Sequence, residues 1–211
     1  MRREFPGGVY ALTFETDDTP RLLAAVEAAL LGGVAAVQYR DKSADVARRH
    51  EQASELAALC RAYAVPLVVN DDVRLADLVG ADGVHLGRED GGIHAARIVL
   101  GPDKFIGASC YQDIARARSA VAAGADYVAF GSFYPSPTKP DAGRASPDLL
   151  AAARALNKPV VAIGGITLAN AAPLLDAGAD SLAVLSALFD APDIRAAAHD
   201  LNQLFAAEPE E

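Results

Sequence analysis

Short apolar runs alternate along the whole chain with longer stretches in which apolar positions recur every three or four residues. The short runs read as buried strands and the periodic stretches as amphipathic helices. Val9 to Phe14 predicts a strand, and Arg21 to Leu31 a helix with Thr19 as its N-cap and Pro20 at its first position. Val34 to Arg40 predicts the second strand, and Ala44 to Ala62 a long helix capped by Ser43. Further strands are expected over 66–70, 83–86, 105–109, 127–130, 160–163 and 182–185. Helices are expected over 73–79, 93–100, 114–123, 147–156, 168–177 and 194–205.

Eight strands, each followed by a helix, argue for a parallel sheet. An internal echo supports the count. Gly80-Ala81-Asp82, Gly124-Ala125-Asp126 and Gly178-Ala179-Asp180 each precede an apolar run, and Gly33-Val34-Ala35 is a weaker fourth copy. Their glycines lie 47, 44 and 54 residues apart (80−33, 124−80, 178−124), which suits two βα units per copy. Four copies of two units give a closed (β/α)8 TIM barrel, an α/β fold, in one domain spanning residues 1–211. An open doubly wound sheet would carry a glycine-rich turn after its first strand, and Glu15 to Thr19 contains no glycine.

In such a barrel the active groups sit at the C-terminal ends of the strands. Strand two ends Gln38-Tyr39-Arg40-Asp41-Lys42; alternation puts Gln38, Arg40 and Lys42 on one face and Tyr39 and Asp41 on the other. Strand three ends Asn70-Asp71-Asp72, and Asp90 follows strand four. Neighbouring strands let Asp71 and Asp90 face each other, an arrangement that suits Mg2+ at a phosphate site, while Asp72 is expected to cap the next helix. Ser109 ends strand five as a small donor at the mouth. Cys110 has no His or acid partner nearby in sequence and reads as packing; His85 reads as a satisfied core histidine, and His50, His94 and His199 as surface.

The loop Gly131 to Gly143 carries three prolines with Ser136, Thr138 and Lys139. Alone it suits either an anion site or an ordinary stiff connection. Gly164-Gly165 after strand seven and Leu185-Ser186 after strand eight offer backbone donors where barrels of this kind hold phosphate. The rim thus has room for two anions. One site is cationic and metal-assisted, as a diphosphate requires; the other is a neutral backbone cradle suited to a monophosphate.

Composition narrows the partners. With 211 residues and a formal net charge of −9, the chain is disfavoured as a non-specific nucleic-acid binder. No apolar run approaches the length of a membrane span, so no membrane partner is expected. The start MRREFPGG lacks a signal-peptide core, and a cytoplasmic location is the default expectation. Cys60 falls on an apolar helical stripe and reads as a buried free thiol. Alanine-rich helix exteriors are compatible with a homo-oligomer.

The segments VQYRDK (37–42), VNDD (69–72), GADGVHLGRED (80–90), IGAS (106–109), GSFYPSPTKP (131–140) and VAIGGI (161–166) resemble, in order and across nearly the whole chain, the thiamine phosphate synthase family, also called thiamine-phosphate pyrophosphorylase. The resemblance implies a transferase of thiamine biosynthesis. It would join 4-amino-2-methyl-5-(diphosphooxymethyl)pyrimidine to a thiazole phosphate and release pyrophosphate. By position, Gln38, Arg40, Lys42 and Asn70, completed by Ser109 and Lys139, would hold the pyrimidine diphosphate. Asp71 and Asp90 would bind Mg2+, and Ser136, Thr138, Gly165, Leu185 and Ser186 would receive the thiazole phosphate. Arg40, Lys42 and Lys139 would stabilise the leaving charge. Ser136 stands where the family usually has threonine and Asp41 where glutamate is common; both are expected to be tolerated.

Three other readings compete with this one. A thiazole tautomerase-like protein of the same superfamily needs no diphosphate site, and Asp71, Asp90 and Lys139 together count against it. A non-catalytic phosphate-binding regulatory barrel has no use for a magnesium pair. An aldolase or epimerase would want a Schiff-base lysine or acid–base carboxylates projecting inward, and the sequence places none.

Overall fold

The computed structural model describes residues 4–135 and 143–206. Its strands are β1 (Gly8–Leu12), β2 (Ala36–Tyr39), β3 (Leu67–Asn70), β4 (Gly83–Leu86), β5 (Phe105–Tyr111), β6 (Tyr127–Gly131), β7 (Val160–Ile163) and β8 (Ser181–Val184). Each pairs in parallel with the next, and β8 pairs back onto β1, closing the barrel. The outer layer consists of α1 (Thr19–Leu31), α2 (Val46–Ala62), α3 (Val73–Leu78), α4 (Ile93–Leu100), α5 (Ile114–Ala122), α6 (Asp148–Ala153), α7 (Ala172–Asp176), α8 (Ser186–Phe189) and α9 (Ile194–Gln203). The alternation predicted from the sequence is therefore present. Among the described residues no helix is long and apolar enough to cross a membrane.

Details differ where local chemistry outcompeted the expected signal. Thr19 and Ser43 are not the caps of α1 and α2. The carboxylates of Asp18 and Asp45 are, accepting from the Arg21 and Arg48 amides at 2.9 and 3.0 Å. A carboxylate one residue earlier, or two residues later, is the stronger acceptor for the positive helix end. The expected helix over 168–177 shrinks to α7, because the Asn170 side chain instead accepts from the Thr167 amide at 2.8 Å and holds a turn. The short α8 after β8 was not anticipated, since its Ser186-Ala187-Leu188-Phe189 reads as a continuation of the apolar run.

The glycine–alanine–aspartate echo turns out to close the lower rim. Gly33, Gly80, Gly124 and Gly178 all have positive φ (91, 67, 102 and 104°), turning the chain from a helix end back into the sheet. The aspartates then reach sideways. Asp82, Asp126 and Asp180 accept from the amides of Leu67, Ile106 and Val160 at 3.0, 2.8 and 2.7 Å, at the start of the preceding strand. Each repeat thus supplies a carboxylate acceptor to a backbone donor at the barrel's edge. The weaker copy has Ala35 at this position and makes only the backbone contact, Ala35 N–H to Val9 O at 2.8 Å.

Alternation divides the core in two. Outward-facing residues of the strands, such as Val9, Val37, Val69 and Val84, pack under the helices. Inward-facing Tyr10, Leu12, Val68, Phe105, Tyr127 and Ala129 fill the barrel, with Phe5 from the N-terminal segment closing it from below. The Phe5 ring stacks on Tyr127 with centroids 3.9 Å apart and meets Tyr10 and Phe105 edge-on at 5.1 and 5.6 Å. Tyr127 fits only because its neighbour on β5 is Gly107, where an added methyl would lie 2.0 Å from the phenol ring. Gly107→Ala is accordingly expected to destabilise the fold by ~1–3 kcal/mol, read as a lowered urea midpoint in equilibrium unfolding; an unchanged midpoint would mean that the ring can move aside.

Candidate active site

The upper rim gathers groups from four consecutive strands. β3 and β4 pair as far as Asn70 opposite His85, and the Asp71 amide extends the ladder by donating to the His85 carbonyl at 2.9 Å. Asp71 then turns left-handed, at φ 64°, an uncommon conformation for a side-chain-bearing residue. Across the gap, the chain after β4 folds back so that Asp90 accepts from the Gly87 amide at 2.7 Å. A Cβ at Gly87 would sit 2.5 Å from that carboxylate oxygen, so a larger residue there would push the Asp90 carboxylate out of this position. The carboxyl groups of Asp71 and Asp90 come within hydrogen-bonding reach of each other, and Lys42 places its Nζ 3.3 Å from Asp71 Oδ2. Burial, and then the neighbouring Asp71 carboxyl, push the Asp90 pKa up, while the Gly87 amide and Lys42 pull the other way.

The surrounding side chains hold this geometry. Asp72 caps α3 through the Leu75 amide at 2.9 Å, as expected, and its second oxygen takes Arg49 from α2 at 2.8 Å. Asp41, buried on the opposite face from Lys42, accepts from the Ser43 amide at 2.6 Å and pairs with Arg48 at 3.6 Å, which fixes the loop that carries Lys42. Arg40 pairs with Glu15 at 2.9 Å. Glu15 escaped the sequence reading, although its place just beyond β1, the neighbour of β2, was a usable signal.

Inside the mouth lies a buried polar chain. Gln38 Nε2 donates to the Tyr10 hydroxyl at 2.7 Å, Tyr10 meets the Tyr127 hydroxyl at 2.9 Å, and Tyr127 meets His85 Nδ1 at 3.0 Å. His85 Nε2 reaches Ser109 Oγ at 2.9 Å. His85 is thus the satisfied core histidine that its position suggested. Burial pulls its pKa down to about 4, against a smaller pull upward from Asp90. The two tyrosines were missed because they sit in apolar runs and looked like packing. Cys60 and Cys110 are free and buried, and burial pushes both thiols up to about 12, so neither is a ready nucleophile.

The third side of the rim follows β6, β7 and β8. The Phe133 and Tyr134 amides donate to the carbonyls of Ile163 and Gly164 at 3.2 and 3.0 Å, laying the start of the loop after β6 on the end of β7. Gly165 has φ 64°, and a methyl there would lie 2.3 Å from the Pro135 carbonyl oxygen. β7 and β8 pair as far as Ile163 opposite Ala183, so Gly165 and Leu185-Ser186 leave the barrel side by side. Gln112, another residue not anticipated, donates to the carbonyls of Gly131 and Gly143 at 2.6 and 2.7 Å and ties the two ends of the loop together. Ser136, Thr138 and Lys139 lie outside the described residues.

A closed parallel barrel with an acid pair, a lysine and two positive-φ glycines at one mouth defines a TIM-barrel protein with polar groups gathered at its strand ends. The comparisons place it more closely. A family model described as thiamine monophosphate synthase matches residues 9–188, and the chain belongs to that family. It is 77% identical over 210 residues to the thiamine-phosphate synthase of Thiobacillus denitrificans, covering 99% of this chain and 100% of that one. It is 56% identical to the thiamine-phosphate synthase of Methylobacillus flagellatus over 94% of this chain and 95% of the relative. Among solved structures it is similar to a thiamine phosphate pyrophosphorylase from Pyrococcus furiosus, with a TM-score of 0.84 at 35% identity over 94% of this chain and 95% of that chain.

The acid pair has a direct signature. Asp71→Asn removes a like charge, and asparagine tolerates the left-handed backbone. The Asp90 pKa should fall toward the ordinary carboxylate value, remaining above it because burial persists. A titration of the Asp90 carboxyl carbon by NMR reads this directly; an unmoved pKa would show that the two carboxyls do not interact.

Proposed function

We propose that the protein is a thiamine-phosphate synthase. It would condense 4-amino-2-methyl-5-(diphosphooxymethyl)pyrimidine with a thiazole phosphate and release pyrophosphate. The observation that carries this reading is the facing pair Asp71 and Asp90 with Lys42 at 3.3 Å, on a chain of this family. A phosphate-sensing barrel would have no use for two carboxylates turned toward each other.

The donor set fits Mg2+. Two hard carboxylate donors, Asp71 and Asp90, meet at a half-buried, solvent-reachable rim. That is the sparse protein ligation magnesium favours, with places left for water and phosphate oxygens. Bound there, the ion would neutralise charge on the departing diphosphate.

The chain's own residues do the rest. Gln38 and Asn70 orient the pyrimidine, and Arg40, Lys42, Ser109 and Lys139 bind the diphosphate. Glu15 holds the Arg40 guanidinium ready at 2.9 Å. The carbon–oxygen bond to diphosphate breaks early, and the thiazole nitrogen attacks the resulting pyrimidinylmethyl cation. Ser136, Thr138, Gly165, Leu185 and Ser186 receive the thiazole phosphate and hold its ring in line. No protein nucleophile takes part, which agrees with two buried, protonated thiols and a histidine engaged on both sides.

Purified protein given both substrates and Mg2+ should release pyrophosphate in step with thiamine phosphate. Lys139→Ala should lower that turnover by ~100-fold or more with the unfolding midpoint unchanged. Undiminished turnover in the variant removes the lysine from the mechanism; no pyrophosphate from the parent protein defeats the assignment.

A further inference from the structure

Tyr10, Tyr127 and His85 belong to no substrate contact assigned above, yet they form one unbroken line between Gln38 on β2 and Ser109 on β5. The line crosses the barrel interior through β1, β6 and β4. Its central members are 1%, 0% and 6% exposed, so bulk solvent does not complete their hydrogen bonds. Every proton in it must therefore be accounted for within the line.

The accounting starts at Gln38, whose Nε2 can only donate, and does so to the Tyr10 oxygen at 2.7 Å. Tyr10 has one proton of its own, and among the described residues the one remaining partner of its hydroxyl is Tyr127 at 2.9 Å. Were Tyr127 to donate instead, the Tyr10 proton would be buried without an acceptor, at a cost of about 1–3 kcal/mol. Tyr10 therefore donates to Tyr127, and Tyr127 passes its own proton to His85 Nδ1 at 3.0 Å. The imidazole must then carry its hydrogen on Nε2 and give it to Ser109 Oγ at 2.9 Å. Ser109 has accepted, so its hydroxyl proton faces outward.

We propose that Tyr10, Tyr127 and His85 are positioning residues that fix the direction of proton donation across the barrel, so that Ser109 presents an O–H, and not a lone pair, to an anionic acceptor at the mouth. That the acceptor is the diphosphate rests on the proposed function; the polarity itself does not.

The test is the tautomer of His85 in the full-length protein, read from the 15N shifts of its imidazole and assigned by loss of the signals in His85→Asn. A pyrrole-type Nε2 and a pyridine-type Nδ1 are expected. The opposite tautomer would mean that Ser109 donates inward, and the assignment falls. Gln38→Glu then asks whether the direction is set from that end, since an ionised carboxylate only accepts. At a pH where the 13C shift shows the new carboxyl ionised, the hydrogen should move to Nδ1; an unmoved hydrogen overturns the coupling along the line. The parent measurement decides the polarity even if the variant fails to fold. Neither arm uses turnover, so a missing pyrophosphate signal would remove the enzymatic reading and leave the tautomer result standing.

Discussion

The carboxyl groups of Asp71 and Asp90 repel each other, yet the barrel holds them together at its mouth. Burial and the neighbouring charge raise the Asp90 pKa. The folded state therefore holds a proton there more tightly than the unfolded chain does. This contribution to stability is greatest at low pH and declines as pH rises from the ordinary carboxylate value through the raised one. With both carboxyls ionised, the pair is a concentration of negative charge that Lys42, 3.3 Å from Asp71, partly offsets. A divalent cation bound there, as proposed above, would relieve it.

What keeps the pair from separating is strand pairing and backbone conformation. The ladder between β3 and β4 runs on through the Asp71 amide, the left-handed turn at Asp71 swings its side chain inward, and the Gly87 amide folds Asp90 back. Outside the pair, Arg49 bound to Asp72 and Arg48 beside Asp41 lock α2 against the loops that carry the site. At the other end of the barrel, aspartates of the repeated motif seal the strand starts, and the Phe5 ring fills the base. Stability is concentrated below and chemistry above, as a barrel of this kind allows.

Much of this was legible in the chain. Alternation of period two at Gln38 to Lys42 correctly separated Gln38, which faces the interior, from Tyr39 and Asp41, which pack outside. The spacing of the glycine repeats gave the strand count, but not why each ended in aspartate; that depends on a contact between neighbouring strands some 15 to 20 residues apart. Tyr10 and Tyr127 were hidden because a buried tyrosine and a packing phenylalanine look alike in an apolar run until the partner of the hydroxyl is known. Glu15 and Gln112 were hidden for a related reason: each acts on a group in a different loop, and no local pattern marks such a contact. Family resemblance supplied the substrates, which periodicity and spacing alone could narrow only to phosphorylated anions.

In the proposed function the acid pair grips a diphosphate through a divalent ion. Titrating pyrophosphate into the protein by calorimetry, with and without Mg2+, tests it most directly. Saturable binding is expected with Mg2+, lost when the ion is withheld or when Asp90→Asn replaces the parent. Equal affinity without the ion, or full affinity in that variant, would contradict it.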